Sequence, residues 1–216
     1  MTGRALVIGA SGGIGRALVE ALEARGQDVT ALSRQQDGLD VTDQTSVDRI
    51  LGALEGPFAT ILMTCGILAP SGGGPEKALS HIDANVMREV MAVNAIGPAL
   101  ILRHVPRLLP RTERAVVGVL TARVGSIGDN RLGGWYAYRA SKAAALNLGR
   151  NLANDLSPEG IAVGIYHPGW VQTDMGGNAA NVTPEDSARG LVARFDALSL
   201  ETTGVFEGYD GVAIPF

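Results

Sequence analysis

Several common functions are excluded by what this chain lacks. It carries one cysteine, Cys65, so no internal disulfide can form and a reducing, cytoplasmic setting is the expectation. No metal site is expected. Lys and Arg number 18 against 22 Asp and Glu, and no basic run appears, whereas binding a nucleic-acid backbone needs clustered cations. A nucleic-acid partner is therefore not expected. No apolar stretch approaches the ~20 residues of a membrane span, so no membrane partner is expected either. The run Ala5-Leu6-Val7-Ile8 comes so early, and passes so directly into glycine, that no secretory signal is expected. There is no internal repeat, and the one low-complexity patch, Ser71-Gly72-Gly73-Gly74-Pro75, reads as a flexible loop. With 216 residues, 46% of them hydrophobic, the chain has material for one sizeable core, and a single domain over residues 1–216 is expected.

What is present begins with that first apolar run. Ala5 to Ile8 is short and β-prone, Gly9-Ala10-Ser11-Gly12-Gly13-Ile14-Gly15 follows, and Arg16 to Ala24 has a strong helical pattern. In such a strand, turn and helix the glycines let the backbone approach a pyrophosphate, and the free N–H groups of the helix start supply donors for it. The next strand, Val29 to Leu32, ends in Ser33-Arg34, where a dinucleotide fold that takes NAD would carry an acid. Arg34 instead suits a 2′-phosphate, which predicts NADP(H). Gly38 to Thr42 reads as a third strand, too close behind the second for a full crossover helix. Thr42 or Asp43 then caps a helix from Gln44 to Leu54. Thr60 to Thr64 is a fourth strand, Ala115 to Leu120 a fifth, Ile161 to Tyr166 a sixth, and Gly204 to Glu207 with Val212 to Ile214 a last one.

Two helices carry candidate chemistry. The stretch Asp83 to Leu109 is helical in pattern but contains Pro98, which has no N–H to return to the carbonyl of Asn94. A kink and a free carbonyl are expected there. The second helix runs to about Leu156 and places Tyr138 and Lys142 four residues apart on one face. An ammonium held near a phenol favours the phenolate, so Tyr138 is expected to exchange a proton near neutral pH. Small residues, Ala140, Ala143, Ala144 and Gly149, allow this helix to approach the sheet or another subunit closely. Asp174 to Val182, rich in small and polar residues, is expected to be an open or mobile lid.

Taken in order, Gly9-x-x-x-Gly13-x-Gly15, Asn94, Tyr138-x-x-x-Lys142 and Pro168-Gly169-Trp170-Val171-Gln172-Thr173 resemble the short-chain dehydrogenase/reductase superfamily. The segments Ala122 to Arg139 and Asp210 to Phe216 resemble its C-factor and sniffer-type carbonyl reductase subgroup. The resemblance implies an α/β fold of Rossmann type, doubly wound. Its sheet would be seven-stranded and mostly parallel with helices on both faces, the crossover helix between strands two and three being reduced to a loop. It implies a nicotinamide cofactor held by Gly9, Ser11, Gly13, Ile14 and Gly15 at the pyrophosphate and by Ser33 and Arg34 at the adenosine-side phosphate. Asp40 and Val41 would hold the adenine, Cys65 and Gly66 the ribose side, and Pro168, Gly169, Val171 and Thr173 the carboxamide. Tyr138 would protonate a carbonyl substrate as hydride arrives, Lys142 would bind the nicotinamide ribose and lower the tyrosine pKa, and Asn94 would hold a proton-relay water. A homodimer acting on a small carbonyl or alcohol is the matching expectation.

Two departures from the family pattern stand out. Met63-Thr64-Cys65-Gly66 replaces the usual Asn-Asn-Ala-Gly, and Ala122 occupies the slot of the serine that orients the substrate carbonyl. Ser126, twelve residues before Tyr138, or Thr121 beside Ala122, would have to supply that hydroxyl; Ser126 is preferred because Thr121 should face the other side of its strand. The rival expectation is a cofactor-binding signalling protein with weak catalysis.

Overall fold

The computed structural model describes residues 3–71, 73–111 and 113–216. Gly72, in the glycine-rich patch, lies outside the described residues. The chain opens with β1 (Ala5–Ile8), α1 (Gly13–Glu23) and β2 (Val29–Leu32), followed by a single turn, α2 (Arg34–Asp37), and α3 (Gln44–Gly52). After β3 (Thr60–Met63) come α4 (Ala84–Met91), a π-helical turn at Ala92–Ile96, α5 (Gly97–Leu102) and α6 (Val105–Leu108). Then follow β4 (Val116–Leu120), α7 (Tyr136–Leu156), β5 (Ala162–His167), α8 (Pro184–Ala197) and β6 (Phe206–Gly208).

The sheet has six strands in the order β2-β1-β3-β4-β5-β6, all parallel. Both faces are covered, because alternate residues of the same strands are buried on opposite sides. Leu6, Ile8, Ile61, Met63, Val117 and Val119 pack with residues of α3, α5, α6 and α7. Ala5, Val7, Leu62 and Val116 pack with Leu18 and Leu22 of α1 and Leu191 and Phe195 of α8. Sequence order reverses beside β1, which pairs with both β2 and β3, and the crevice at this switch point is where open α/β sheets bind ligands.

The expected third strand, Gly38 to Thr42, is absent among the described residues, which leaves six of the seven expected, and the reason is local. Gly38 caps α2 in the left-handed region (φ 68°), and the Asp40 N–H donates to the Gly38 carbonyl at 3.0 Å and to Ser46 Oγ at 3.1 Å. The Asp40 carboxylate accepts from the Thr42 N–H (2.9 Å) and hydroxyl (2.6 Å), so the backbone donors are used inside the turn and no ladder can form. The apolar signal came from real burial: Leu39 and Val41 plug the core from a loop. Asp43, not Thr42, caps α3, accepting from the Thr45 N–H at 2.9 Å. At the far edge, Val212 to Ile214 adds only an isolated antiparallel bridge, Ala213 to Glu207. The single helix expected over 83–109 is broken by the π turn, in which the Gly97 N–H returns to the Ala92 carbonyl, five residues back. Pro98 then sits in the first turn of α5, where its missing N–H costs little.

Candidate active site

The turn after β1 and the loop after β3 press together at the switch point. Gly9 has φ 96°, and a Cβ built on it would lie 2.6 Å from Thr64 Oγ1 and 2.9 Å from the Cys65 nitrogen, so only glycine meets both demands. Thr64 ties the two segments by donating its N–H (2.8 Å) and hydroxyl (3.0 Å) to the Ile8 carbonyl. Its place in the usual asparagine position is thus taken up by strand-end packing. α1 starts at Gly12 with no side-chain cap and no acid in its first turn, and a Cβ on Gly12 would meet nothing closer than the Gly9 carbonyl at 3.5 Å. Gly12 borders a cavity of about 230 Å³, whose lining also includes Gly9, Ser11, Ser33, Arg34, Asp40, Val41, Cys65 and Gly66. An uncapped helix start beside an open cradle fits a pyrophosphate, and the exposed Arg34 at the rim adds a cation.

The same cavity is lined by residues that sequence reasoning missed, Gly12, Leu39, Thr42, Thr64, Ile67 and Val93. Gly12 and Thr64 stand beside residues already singled out, but nothing in the pattern marks Ile67 or Val93. Ser33 is more constrained than expected: its hydroxyl accepts the Gln36 N–H at 3.1 Å as the cap of α2, and its own N–H donates to Asp37 at 2.7 Å. Gly13, Ile14, Gly15, Pro168, Gly169, Val171 and Thr173 lie outside this lining. Thr173 nevertheless comes over the turn, since a Cβ on Gly13 would be 2.5 Å from its Cγ2. Gly169 lines a separate recess of about 330 Å³ with Arg123, His167 and Trp170.

Gly66, part of the lining of the first cavity, packs against the Tyr138 helix. A Cβ on Gly66 would sit 2.9 Å from Lys142 Nζ and 3.3 Å from Asn94 Oδ1. Asn94, on the π turn, accepts the Ile67 N–H (2.8 Å) and donates to the Ile67 carbonyl (2.8 Å) and to Ser141 Oγ (3.0 Å). Its side chain thereby joins the loop after β3 to α7. π turns inside helices recur at functional positions. Lys142 Nζ stands 5.6 Å from the centroid of the Tyr138 ring, and both side chains are buried.

Burial dominates the titration of this group and corrects the expected sign at the tyrosine. Loss of solvent pushes the Tyr138 phenol up to about 12 rather than down. Burial likewise lowers Lys142 to about 8, an effect that Cys65 opposes. Cys65 itself is raised to about 11, chiefly by burial, and is not a reactive thiolate.

Neither candidate for the missing serine hydroxyl points its proton at this group. Thr121 Oγ1 donates to the Lys142 carbonyl at 3.0 Å, which anchors α7. Ser126 Oγ donates to the Pro215 carbonyl and accepts the Asp129 N–H at 3.0 Å, tying its loop to residues 215–216. Ala122 is buried at the end of β4. Two carbonyls of the lid segment are tied to the loop before it. Trp170 Nε1 donates to the Gly176 carbonyl and Gln172 Nε2 to the Ala180 carbonyl, each at 2.9 Å. On α7, Gly149 faces Ile165 of the chain's own β5, where a Cβ would be 2.8 Å from Ile165 Cγ1.

Parallel strands that reverse order beside a bare helix start, with a tyrosine and a lysine buried one turn apart behind the Gly66 loop that lines the resulting cavity, fit a dinucleotide-binding oxidoreductase. The family described as enoyl-(acyl carrier protein) reductase, of the short-chain alcohol dehydrogenase type, matches residues 9–194. The chain belongs to the short-chain dehydrogenase/reductase superfamily. It is 36% identical to 1-hydroxy-2-glutathionyl-2-methyl-3-butene dehydrogenase of Rhodococcus sp. (strain AD45), over 95% of this chain and 96% of that protein. It is 38% identical to the C-signal of Myxococcus xanthus, over 74% of this chain and 94% of that protein. Among solved structures, NADPH-bound carbonyl reductase from chicken fatty liver overlays with a TM-score of 0.86 at 26% identity, covering 99% and 98% of the two chains. Among the described residues no helix is long and apolar enough to cross a membrane.

Proposed function

We propose that this protein is an NADPH-dependent reductase of ketones or aldehydes. The observation that carries the reading is that Gly66, which lines the cavity beside the glycine turn, packs directly on Lys142 Nζ, so the Tyr138 pair stands immediately behind that lining. Gly9, Ser11, Gly13, Ile14 and Gly15 would hold the pyrophosphate and Arg34 the 2′-phosphate. Asp40 and Val41 would hold the adenine, Cys65, Gly66 and Lys142 the ribose side, and Pro168, Gly169, Val171 and Thr173 the carboxamide. The bound dinucleotide supplies hydride. Tyr138 gives its phenolic proton to the substrate oxygen; burial keeps the phenol protonated but makes it a weaker acid, so the transfer depends on the Lys142 charge beside it. Lys142 stabilises the phenolate that this leaves, and Asn94 holds Ser141 and the Ile67 loop in register behind the pair. Ser126, whose hydroxyl donates to the Pro215 carbonyl, would have to turn from it to orient the substrate carbonyl. A homodimer is proposed as the working form.

Titration with NADPH and NADH separately, followed by a panel of carbonyls, tests the reading. The expected result is tighter binding of NADPH and turnover that Tyr138→Phe abolishes. A second reading, a cofactor-binding signalling protein with weak catalysis, is favoured by Ala122 and by the occupied hydroxyls of Thr121 and Ser126. Tight NADPH binding with no turnover of any carbonyl would select it.

A further inference from the structure

α7 is 21 residues long, yet its own N-cap cannot cap it. That residue is Trp135, held in the left-handed region at φ 53°, ψ 44°, with no side-chain bond to the helix. It is the only non-glycine with positive φ among the described residues. The first intrahelical bond runs from the Arg139 N–H to the Trp135 carbonyl, so the amides of residues 136–138 need partners from elsewhere. Glu76, 61 residues away in the loop after β3, provides one. Its carboxylate oxygens accept the Ala137 N–H at 3.2 and 3.3 Å, and its carbonyl accepts the Trp135 N–H at 2.6 Å.

Glu76 is only 5% exposed, and among the described residues no Lys, Arg or His pairs with it. A carboxylate buried without a cation is costly, and here the positive end of a long helix compensates it. A local serine or aspartate at position 135 would cap the helix with no buried charge. The arrangement adopted instead ties the first turn of α7 to the loop that also carries Gly66 and Ile67. The next turn is held separately, by Thr121 on the Lys142 carbonyl and by Asn94 on Ser141, each at 3.0 Å.

We infer that Glu76 is the positioning residue for Tyr138: from a distant loop it caps the turn on which the phenol sits, and leaves Lys142 to other supports. The inference rests on the reading of Tyr138 as proton donor. The indole of Trp135, edge-on to the Tyr138 ring at 6.3 Å between centroids, is set by the same contact and braces the ring.

The test uses the full chain with Glu76→Ala and Glu76→Gln, reading kcat for NADPH-dependent reduction, the NADPH Kd, and amide hydrogen exchange along α7. Glu76→Ala is expected to lower kcat by about 10- to 100-fold, the scale of a misplacement near 1 Å, with Kd changed by less than about twofold. Exchange at Ala137 should accelerate at least about tenfold while residues 145–153 keep their protection. Glu76→Gln, which retains an acceptor of the same reach, should recover most of kcat. A wild-type kcat in the alanine variant overturns the inference, as does a glutamine variant no better than alanine. Loss of Kd, kcat and protection along the whole helix together overturns it as well, by reducing Glu76 to a general structural role. If Glu76→Ala does not fold, Glu76→Asp replaces it: one methylene too short, it should be impaired where glutamine is active, and the reverse order overturns the inference. If the wild type reduces no carbonyl, the functional reading fails, and the exchange pattern alone decides the role of Glu76.

Discussion

Burial of Lys142 should be visible as an unusual rise of stability with pH in the cofactor-free protein. The amine has an ordinary value of 10.5 and is lowered to about 8 by loss of solvent. Below pH 8 both folded and unfolded chains hold the proton, and the fold bears the full cost of a buried ammonium. Between pH 8 and 10.5 the unfolded chain binds the proton that the folded chain has released, so unfolding becomes harder as pH rises. Two groups work the other way. Cys65 is raised from 9.0 to about 11 and Tyr138 from 10.0 to about 12, so each contributes stability that is lost as pH climbs above its unfolded value. From pH 8 to 9 Lys142 outweighs Cys65, but its proton is only half released at pH 8 and the unfolded thiol is already ionising by pH 9, so the net slope is roughly half a proton, or about 0.7 kcal/mol per pH unit. At an m-value of about 1–3 kcal/mol/M, this moves the urea midpoint upward by roughly 0.2–0.7 M. Urea unfolding at half-unit steps from pH 7.5 to 10.5 should show a flat start, a rise from 8 to 9, and a plateau that turns downward. Lys142→Met should remove the rise and leave the downturn. A wild-type midpoint that is level from pH 8 to 9, or a methionine variant with the same rise, would refute the reasoning.

Three further outcomes are expected. Gly125→Ala places a methyl 2.7 Å from the Lys142 carbonyl carbon and 2.9 Å from its oxygen, backbone that cannot swing aside. It should destabilise the fold by about 1–3 kcal/mol, read as a lower Tm, and weaken NADPH binding through Lys142. Ala122→Ser restores a hydroxyl at the end of β4 and should raise kcat, by up to ~10²-fold if the hydroxyl reaches the developing oxyanion; an unchanged kcat would show that the slot does not face the substrate. Arg34→Glu should weaken NADPH binding by about tenfold or more, as removal of a charge-assisted phosphate contact implies, with little loss for NADH in parallel titrations.

Some of this architecture is local and could be read along the chain. β1, its glycine turn and α1 lie within 20 consecutive residues, and their chemistry follows from strand, turn and helix propensities alone. The four-residue spacing of Tyr138 and Lys142 needs only a helix. Pro98 pointed to Asn94 because a missing N–H is a property of the residue, although the π turn that answers it could not be foreseen. Where local rules failed, a competing local bond was responsible: Gly38 to Thr42 is apolar enough for a strand, but Asp40 and Thr42 close its donors into a turn.

The rest depended on which distant segments meet. Ser126 was a reasonable hydroxyl by position, and only the arrival of Pro215 shows where its proton goes. The amine beside Tyr138 suggested an acidified phenol, but the solvent lost when the sheet, the loop after β3 and α7 close together sets the opposite direction. Glu76 carries no sequence signal as a helix cap, because a cap is recognised by proximity in the chain and this one comes from 61 residues away. Sequence alone thus determined the elements and the residue types able to do chemistry, since backbone propensity and side-chain identity are properties of short stretches. Their protonation, partners and aim were decided by tertiary structure, because desolvation and long-range hydrogen bonds exist only once the chain has packed.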